Sequence, residues 1–381
     1  MDLNFLKNIY RVHKEMRLCG RYISYESVLP LLLKHGKHFQ IETIGHSVLD
    51  RDIHAIKFGN GPKKIMLWSQ MHGNETTTTK AIFDLLNAFS KDTDDITNEV
   101  MEKCTIAIIP MLNPDGANAY TRLNANQIDL NRDAQERSQP ESMALRSYFD
   151  MFKPDFCFNL HGQRTIFSAG KTIFPATVSF LAPDQDDNRS ITETRKKAME
   201  IIVAMNKNLQ LQIPNQVGVY DDSFNLNCVG DTFQSLEVPT VLFEAGHFAK
   251  DYDREVVREF MFQSLFVALH YIACNTISGK GYLQYMNIPQ NEKMFFDIII
   301  RNALINNKIE DIAIQFYEKL DGKDVKFCPI VEKISNLDNF NGHRQVDANG
   351  CRVLTISGEP IYVGYENDFA LINNEQFALK P

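Results

Sequence analysis

Three short apolar runs, each ending on a residue with ligand chemistry, limit what this chain can fold into. Lys64-Ile65-Met66-Leu67-Trp68-Ser69-Gln70 leads to His72 and Glu75, Phe156-Cys157-Phe158-Asn159-Leu160 leads to His161, and Thr240-Val241-Leu242-Phe243 leads to Glu244. Apolar runs this short read as buried strands rather than helices. Between and around them lie stretches with helical apolar spacing: the segment after Glu75, Ser142–Phe152, about Thr192 to Leu209, and Arg254–Cys274. Strands alternating with amphipathic helices predict an α/β fold, a mostly parallel mixed sheet covered by helices on both faces. Ligands of such sheets sit beyond the carboxyl ends of the strands. The sequence therefore places His72, His161 and Glu244 just past three strand ends on one rim, with Glu75 opening the following helix.

At 381 residues the chain exceeds the usual size of one domain. Ser278-Gly279-Lys280-Gly281 reads as a boundary, giving a catalytic-type unit over 1–278 and a small β-rich C-terminal domain over 282–381. The latter is expected to contain strands within Met294–Ile305, Asp311–Leu320, Val325–Ile334 and Arg352–Phe369, with a helix or two. A net charge of −8 argues against a nucleic-acid partner. The start lacks a basic region followed by an apolar core, and no run of 18 apolar residues occurs, so neither a leader nor a membrane partner is expected. Seven scattered cysteines, never spaced C-x-x-C, match reduced thiols and a cytoplasmic location.

Catalytic zinc commonly takes three protein ligands and keeps one position open. His72, Glu75 and His161 supply a His₂Glu set. Alone, H-x-x-E is usually an accident of the surface, but here it joins a buried strand to a helix. Glu244, also at the end of a buried strand, has the placement of a general base. Between the ligands, Tyr120–Asp133 holds Arg122, Asn131 and Arg132. Such a loop is often plain solvated charge, yet arginine is also the side chain best shaped to grip a carboxylate or steady an oxyanion.

His72-x-x-Glu75, Asn113-Pro114-Asp115-Gly116, Arg122 followed by Asp129-Leu130-Asn131-Arg132, His161 and Glu244 resemble, in order, the signature of the zinc carboxypeptidase family, carboxypeptidase A/B-like metallopeptidases. Gly45–Ile53 is similar to the stretch before that family's zinc strand, so the likeness spans roughly residues 25–275. It implies one zinc ion per chain on His72, Glu75 and His161, with Glu244 as base. It further implies Arg122 as polariser of the scissile carbonyl and Asn131 with Arg132 as clamp on the substrate's terminal carboxylate. It points to Tyr220, 24 residues before Glu244, for the family's mobile tyrosine, and to the neighbourhood of Asn227–Asp231 for side-chain preference.

The expected activity is hydrolysis of a C-terminal peptide or peptide-like amide bond, a murein peptide among the candidates. His-Gly-Asn-Glu carries Asn74 where digestive members carry arginine, and resembles the aspartoacylase/succinylglutamate desuccinylase branch. That likeness keeps an N-acyl amino acid deacylase as the alternative; both readings share a substrate with a free carboxylate. A silent binding module is the third reading.

Overall fold

The computed structural model describes residues 1–91, 95–221 and 223–381. Its main sheet has eight strands: β1 (Gln40–His46), β2 (Asp52–Phe58), β3 (Lys63–Ser69), β4 (Cys104–Ile109), β5 (Phe156–Gly162), then, past the short β6 (Phe167–Ala169), β7 (Val178–Leu181), β8 (Val217–Val219) and β9 (Thr240–Ala245). They lie in the order β1-β2-β4-β3-β5-β9-β7-β8. The centre, β4-β3-β5-β9, is parallel, and antiparallel pairs join β1 to β2, β2 to β4 and β7 to β9.

Alternation along the strands separates two cores. Ile65 and Leu67 face one side, where they join Ile82, Met199, Phe262 and Phe266 from three helices. Met66 and Trp68 face the other, against Leu145, Phe149 and Phe233. Both faces are covered, so the central strands read as continuous apolar runs rather than alternating ones. The helix Glu255–Cys274 has membrane-like apolarity, but 78% of its apolar window is buried, and it serves as a core helix.

The chain beyond Ser278 begins with a single 3₁₀ segment, Tyr282–Asn287, in place of the expected helices. Next come β10 (Asn291–Lys293), paired with β6, and a sheet of β11 (Phe295–Ile305), β12 (Lys308–Asp321), β13 (Asp324–Ser335) and β14 (Asn341–Asp347). The predicted strand over Arg352–Phe369 is largely irregular: Val353–Leu354 is its one two-residue strand, Arg352, Pro360 and Glu366 form isolated bridges, and the next strand begins at Phe369.

Candidate functional site

The turn after β3 is held from several directions. Gln70 adopts a left-handed φ of 50°, uncommon for a residue with a side chain. Its side chain pins that conformation: Nε2 donates to Gly73 O (2.8 Å) and Ile23 O (3.0 Å), while Oε1 accepts from Thr79 Oγ1 (2.8 Å). A Cβ on Gly73 would lie 1.9 Å from the Gly116 carbonyl carbon, so this turn presses on Asn113-Pro114-Asp115-Gly116. That motif starts a short helix, Pro114–Ala119, capped by Asn113. Asn113 Nδ2 also donates to Met71 O (3.1 Å), and Asp115 receives Leu49 N (2.9 Å) and Arg51 Nη1 (2.5 Å). The motif and the Gly45–Ile53 stretch thus buttress the residues that carry His72.

The three candidate ligands, His72, Glu75 and His161, lie together. Glu75 Oε1 lies 2.8 Å from His72 Nδ1, Glu75 Oε2 lies 2.8 Å from His161 Nδ1, and the two Nδ1 atoms are 3.1 Å apart. Two placements differ from the sequence reading. His161 and Glu244 are the penultimate residues of β5 and β9 rather than past their ends, and Glu75 precedes its helix, Thr77–Lys91, by two residues.

Asp129 braces His72 from the side away from His161 and Glu75. Its Oδ1 is 3.0 Å from His72 Nε2, and burial is outweighed by His72 and Arg122, which hold its carboxyl below the usual range. Both ring nitrogens of His72 thus face carboxylates, Nε2 toward Asp129 and Nδ1 toward Glu75; an ion held on Nδ1 would leave the proton on Nε2, donated to Asp129. Burial opposes charge on all three ligands. Even so, Glu75 and Asp129 lift the His72 pKa, and His72 with His161 hold Glu75 well below a normal carboxyl. Two imidazole nitrogens 3.1 Å apart, each 2.8 Å from one oxygen of the same carboxylate, are a donor set that fits zinc, whose bonds of about 2.0–2.2 Å call for tetrahedral edges of about 3.3 Å.

Glu244 shares the cleft with the triad. Its Oε2 is buried without a hydrogen-bond partner, and burial followed by the Glu75 charge pushes its pKa well up. Arg122 sits over the triad, with Nε and Nη2 each 3.0 Å from Asp129 Oδ2 and Nη1 3.5 Å from Glu75 Oε1. Asn131 and Arg132 line the same cleft. Arg132 is solvent-exposed, with Nη1 on Asn131 O (2.8 Å) and Cys228 Sγ (3.1 Å), whereas Asn131 Oδ1 is taken by Val229 N (3.0 Å). Tyr220 lines it too, its ring 5.5 Å from Phe167 and its hydroxyl pKa raised by burial, then by Glu244 and Glu75.

Two of the following features were not anticipated, and the third, Asp231, closes the Asn227–Asp231 stretch expected to set side-chain preference. Buried Arg254 lines the cleft while its guanidinium donates to Ala245 O and Gln163 O, both at 2.6 Å. Asp231, beside Cys228 and Gly230, is pushed up to about 7, by burial first. From the C-terminal sheet, Phe316 and Glu318 wall the cleft, with Glu318 held by Arg21 Nη2 (2.8 Å) and the Tyr120 hydroxyl. The whole cleft measures about 850 Å³.

The model of the zinc carboxypeptidase family matches residues 26–226, just over half of the chain. The chain belongs to the zinc carboxypeptidase family. Among individual relatives, it is 28% identical over 130 residues to an uncharacterised protein of Zymomonas mobilis (33% of this chain, 34% of that one). It is 27% identical over 124 residues to carboxypeptidase 2 of Trichophyton rubrum (32% and 22%), and 25% identical over 148 residues to carboxypeptidase D of Mus musculus (32% and 11%). The match spans about a third or less of these relatives. Among solved structures, the fold is shared with a metallo-carboxypeptidase from Pseudomonas aeruginosa in complex with (2-guanidinoethylmercapto)succinic acid. The two have a TM-score of 0.53 and 18% identity, covering 66% of this chain and 69% of that one. One from Burkholderia cenocepacia gives 0.52, 17%, 65% and 69%. At these identities the structures speak for the fold, an α/β mixed sheet flanked by helices.

Proposed function

We propose that this protein is a metallocarboxypeptidase, binding one zinc ion through His72, Glu75 and His161 and releasing the C-terminal residue of short peptides with a free carboxylate. The observation that carries this reading is the meeting, in one cleft, of the ligand triad with a buried, unpartnered Glu244. Zinc held there supplies Lewis acidity, lowering the pKa of water to about 7 and polarising a carbonyl. Glu244 takes the proton of the attacking water and returns it to the departing amine. Arg122 moves from Asp129 and Glu75 to the oxygen that gains charge. Asn131 and Arg132 hold the terminal carboxylate, and Tyr220 covers the site from the side of Phe167.

The substrate is short because the cleft falls in the volume range of small-molecule sites, about 300–1,000 Å³, and Phe316 and Glu318 wall it on the side of Arg21. Short murein-type peptides belong to this class. The deciding assay sets N-blocked dipeptides with a free C-terminus beside N-acetyl amino acids, with and without a chelator. The peptides should be cleaved, and activity should vanish with chelator and return with Zn²⁺. Turnover of N-acetyl amino acids alone would make the protein a deacylase, and turnover of neither would make the cleft a binding site.

A further inference from the structure

A second group of metal-binding side chains lies on two packed helices and has no part in the cleft. Glu99 comes from the helix Asp95–Lys103; His270 and Cys274 come from the last turns of Glu255–Cys274. Four residues apart, His270 and Cys274 stack on one helix face. Cys274 Sγ is 3.3 Å from His270 Nε2, and the same nitrogen is 3.9 Å from Glu99 Oε2. Around tetrahedral zinc, bond lengths of about 2.3 Å to sulfur and about 2.0–2.1 Å to nitrogen and oxygen set an N···S edge of about 3.6 Å and an N···O edge of about 3.4 Å. The observed N···S separation of 3.3 Å is a little shorter than its edge and the N···O separation of 3.9 Å a little longer than its own.

The surroundings hold these donors in place. Lys103 Nζ binds Glu99 Oε1 at 2.5 Å, which leaves Oε2 toward His270. Lys63 Nζ donates to Ile272 O (2.5 Å), Ala273 O (2.9 Å) and Asn275 O (2.8 Å), fixing the helix end that carries Cys274. Glu99 and His270 are half-buried and Cys274 is exposed, so an ion can enter and a water can complete its shell. A lone exposed cysteine beside a lysine–glutamate pair would be an ordinary surface. A thiol, an imidazole and a carboxylate from two elements at ligand spacing suit a borderline or soft divalent ion.

We propose that Glu99, His270 and Cys274 form a second metal site, distinct from the catalytic centre, that takes zinc or a similar divalent ion and clamps the core helix to its neighbour. Binding forms a metal–thiolate bond, sends the thiol proton to solvent and changes no oxidation state. The first centre contains no sulfur, which makes the second one spectroscopically separable. With the zinc-loaded protein, titration with Cd²⁺ should raise a sulfur-to-metal charge-transfer band in the ultraviolet that saturates at one equivalent. Cys274→Ser and His270→Ala should lose the band and Glu99→Gln should weaken the binding, all with peptidase activity kept. Added Zn²⁺ should raise the melting temperature of the parent protein and leave that of Cys274→Ser unmoved. No band in the parent, a band that survives Cys274→Ser, or equal affinity in His270→Ala and Glu99→Gln would overturn the site.

Discussion

His161 and Glu244 are register partners on adjacent parallel strands, so the sheet itself sets the distance between a ligand and the proposed base. Strand pairing is far stiffer than a loop, and the constellation needs no closing motion to form. Glu244→Gln keeps shape and removes the proton acceptor. It should retain full zinc occupancy and lose at least about 10²-fold in kcat, the usual low end for a general acid–base group. Elemental analysis and steady-state kinetics on the same preparation check both halves; near-normal turnover would place the base elsewhere.

Asp129 braces His72 at Nε2, 3.0 Å away, without being one of the proposed ligands. Removing such a partner typically weakens metal binding about 10- to 100-fold. Asp129→Ala should show that loss in a competitive chelator titration while the far-ultraviolet circular dichroism is unchanged. An unaltered zinc affinity would mean that His72 is oriented by packing alone.

The clustering of His72, Glu75 and His161 was legible in the sequence because the two histidines stand at the ends of strong local signals, buried apolar runs, and Glu75 follows His72 in the same turn. Asp129 was visible only inside Asp-Leu-Asn-Arg, since its role depends on a contact with a residue 57 positions earlier. The buttressing by Asn113 and Asp115 is equally non-local and left no periodic trace. The three residues of β8 are too few for a pattern and are held by their neighbours. Arrival of Phe316 and Glu318 at the cleft follows from how the C-terminal sheet docks, which local propensity does not encode. Arg132 is also more exposed than a clamp at the base of a pocket would be, because its loop runs over the surface.

The wall formed by Phe316 and Glu318 predicts a length preference. A series of N-blocked di-, tri-, penta- and decapeptides sharing one C-terminal residue should show kcat/KM falling as the chain lengthens. A flat series would mean that longer substrates leave the cleft by another route, and the short-substrate reading would fail.

Glu255 ties the N-terminal segment to the core through Lys80 (2.5 Å) and Lys14 (2.8 Å). Burial pushes its pKa up, but Lys80 and Lys14 outweigh that and bring it from 4.5 down to about 2. A carboxyl depressed in the folded state adds stability that is complete above its unfolded pKa and is lost as pH falls through the folded one. The contribution should therefore fade between about pH 4.5 and 2. Urea titrations across that window should show a steeper loss for the parent than for Glu255→Gln, and parallel curves would remove Glu255 from the acid response.

Arg132 decides between removal of a terminal residue and cleavage of an internal amide. If it and Asn131 hold a free carboxylate, amidated substrates should be poor, because the guanidinium then loses a charge-assisted pair. Its exposure limits the effect to the range of a hydrogen bond involving a charge, about 1.5–3 kcal/mol, or about ten- to a hundredfold in kcat/KM. Arg132→Met should impose a similar loss on the free acid and scarcely alter the amide. That non-additivity separates a lost contact from a general defect, which would slow both substrates alike. The measurement is kcat/KM for the acid and amide forms of one good substrate on both proteins. Equal cleavage of the two forms by the parent protein would remove the carboxylate clamp and, with it, the exopeptidase reading.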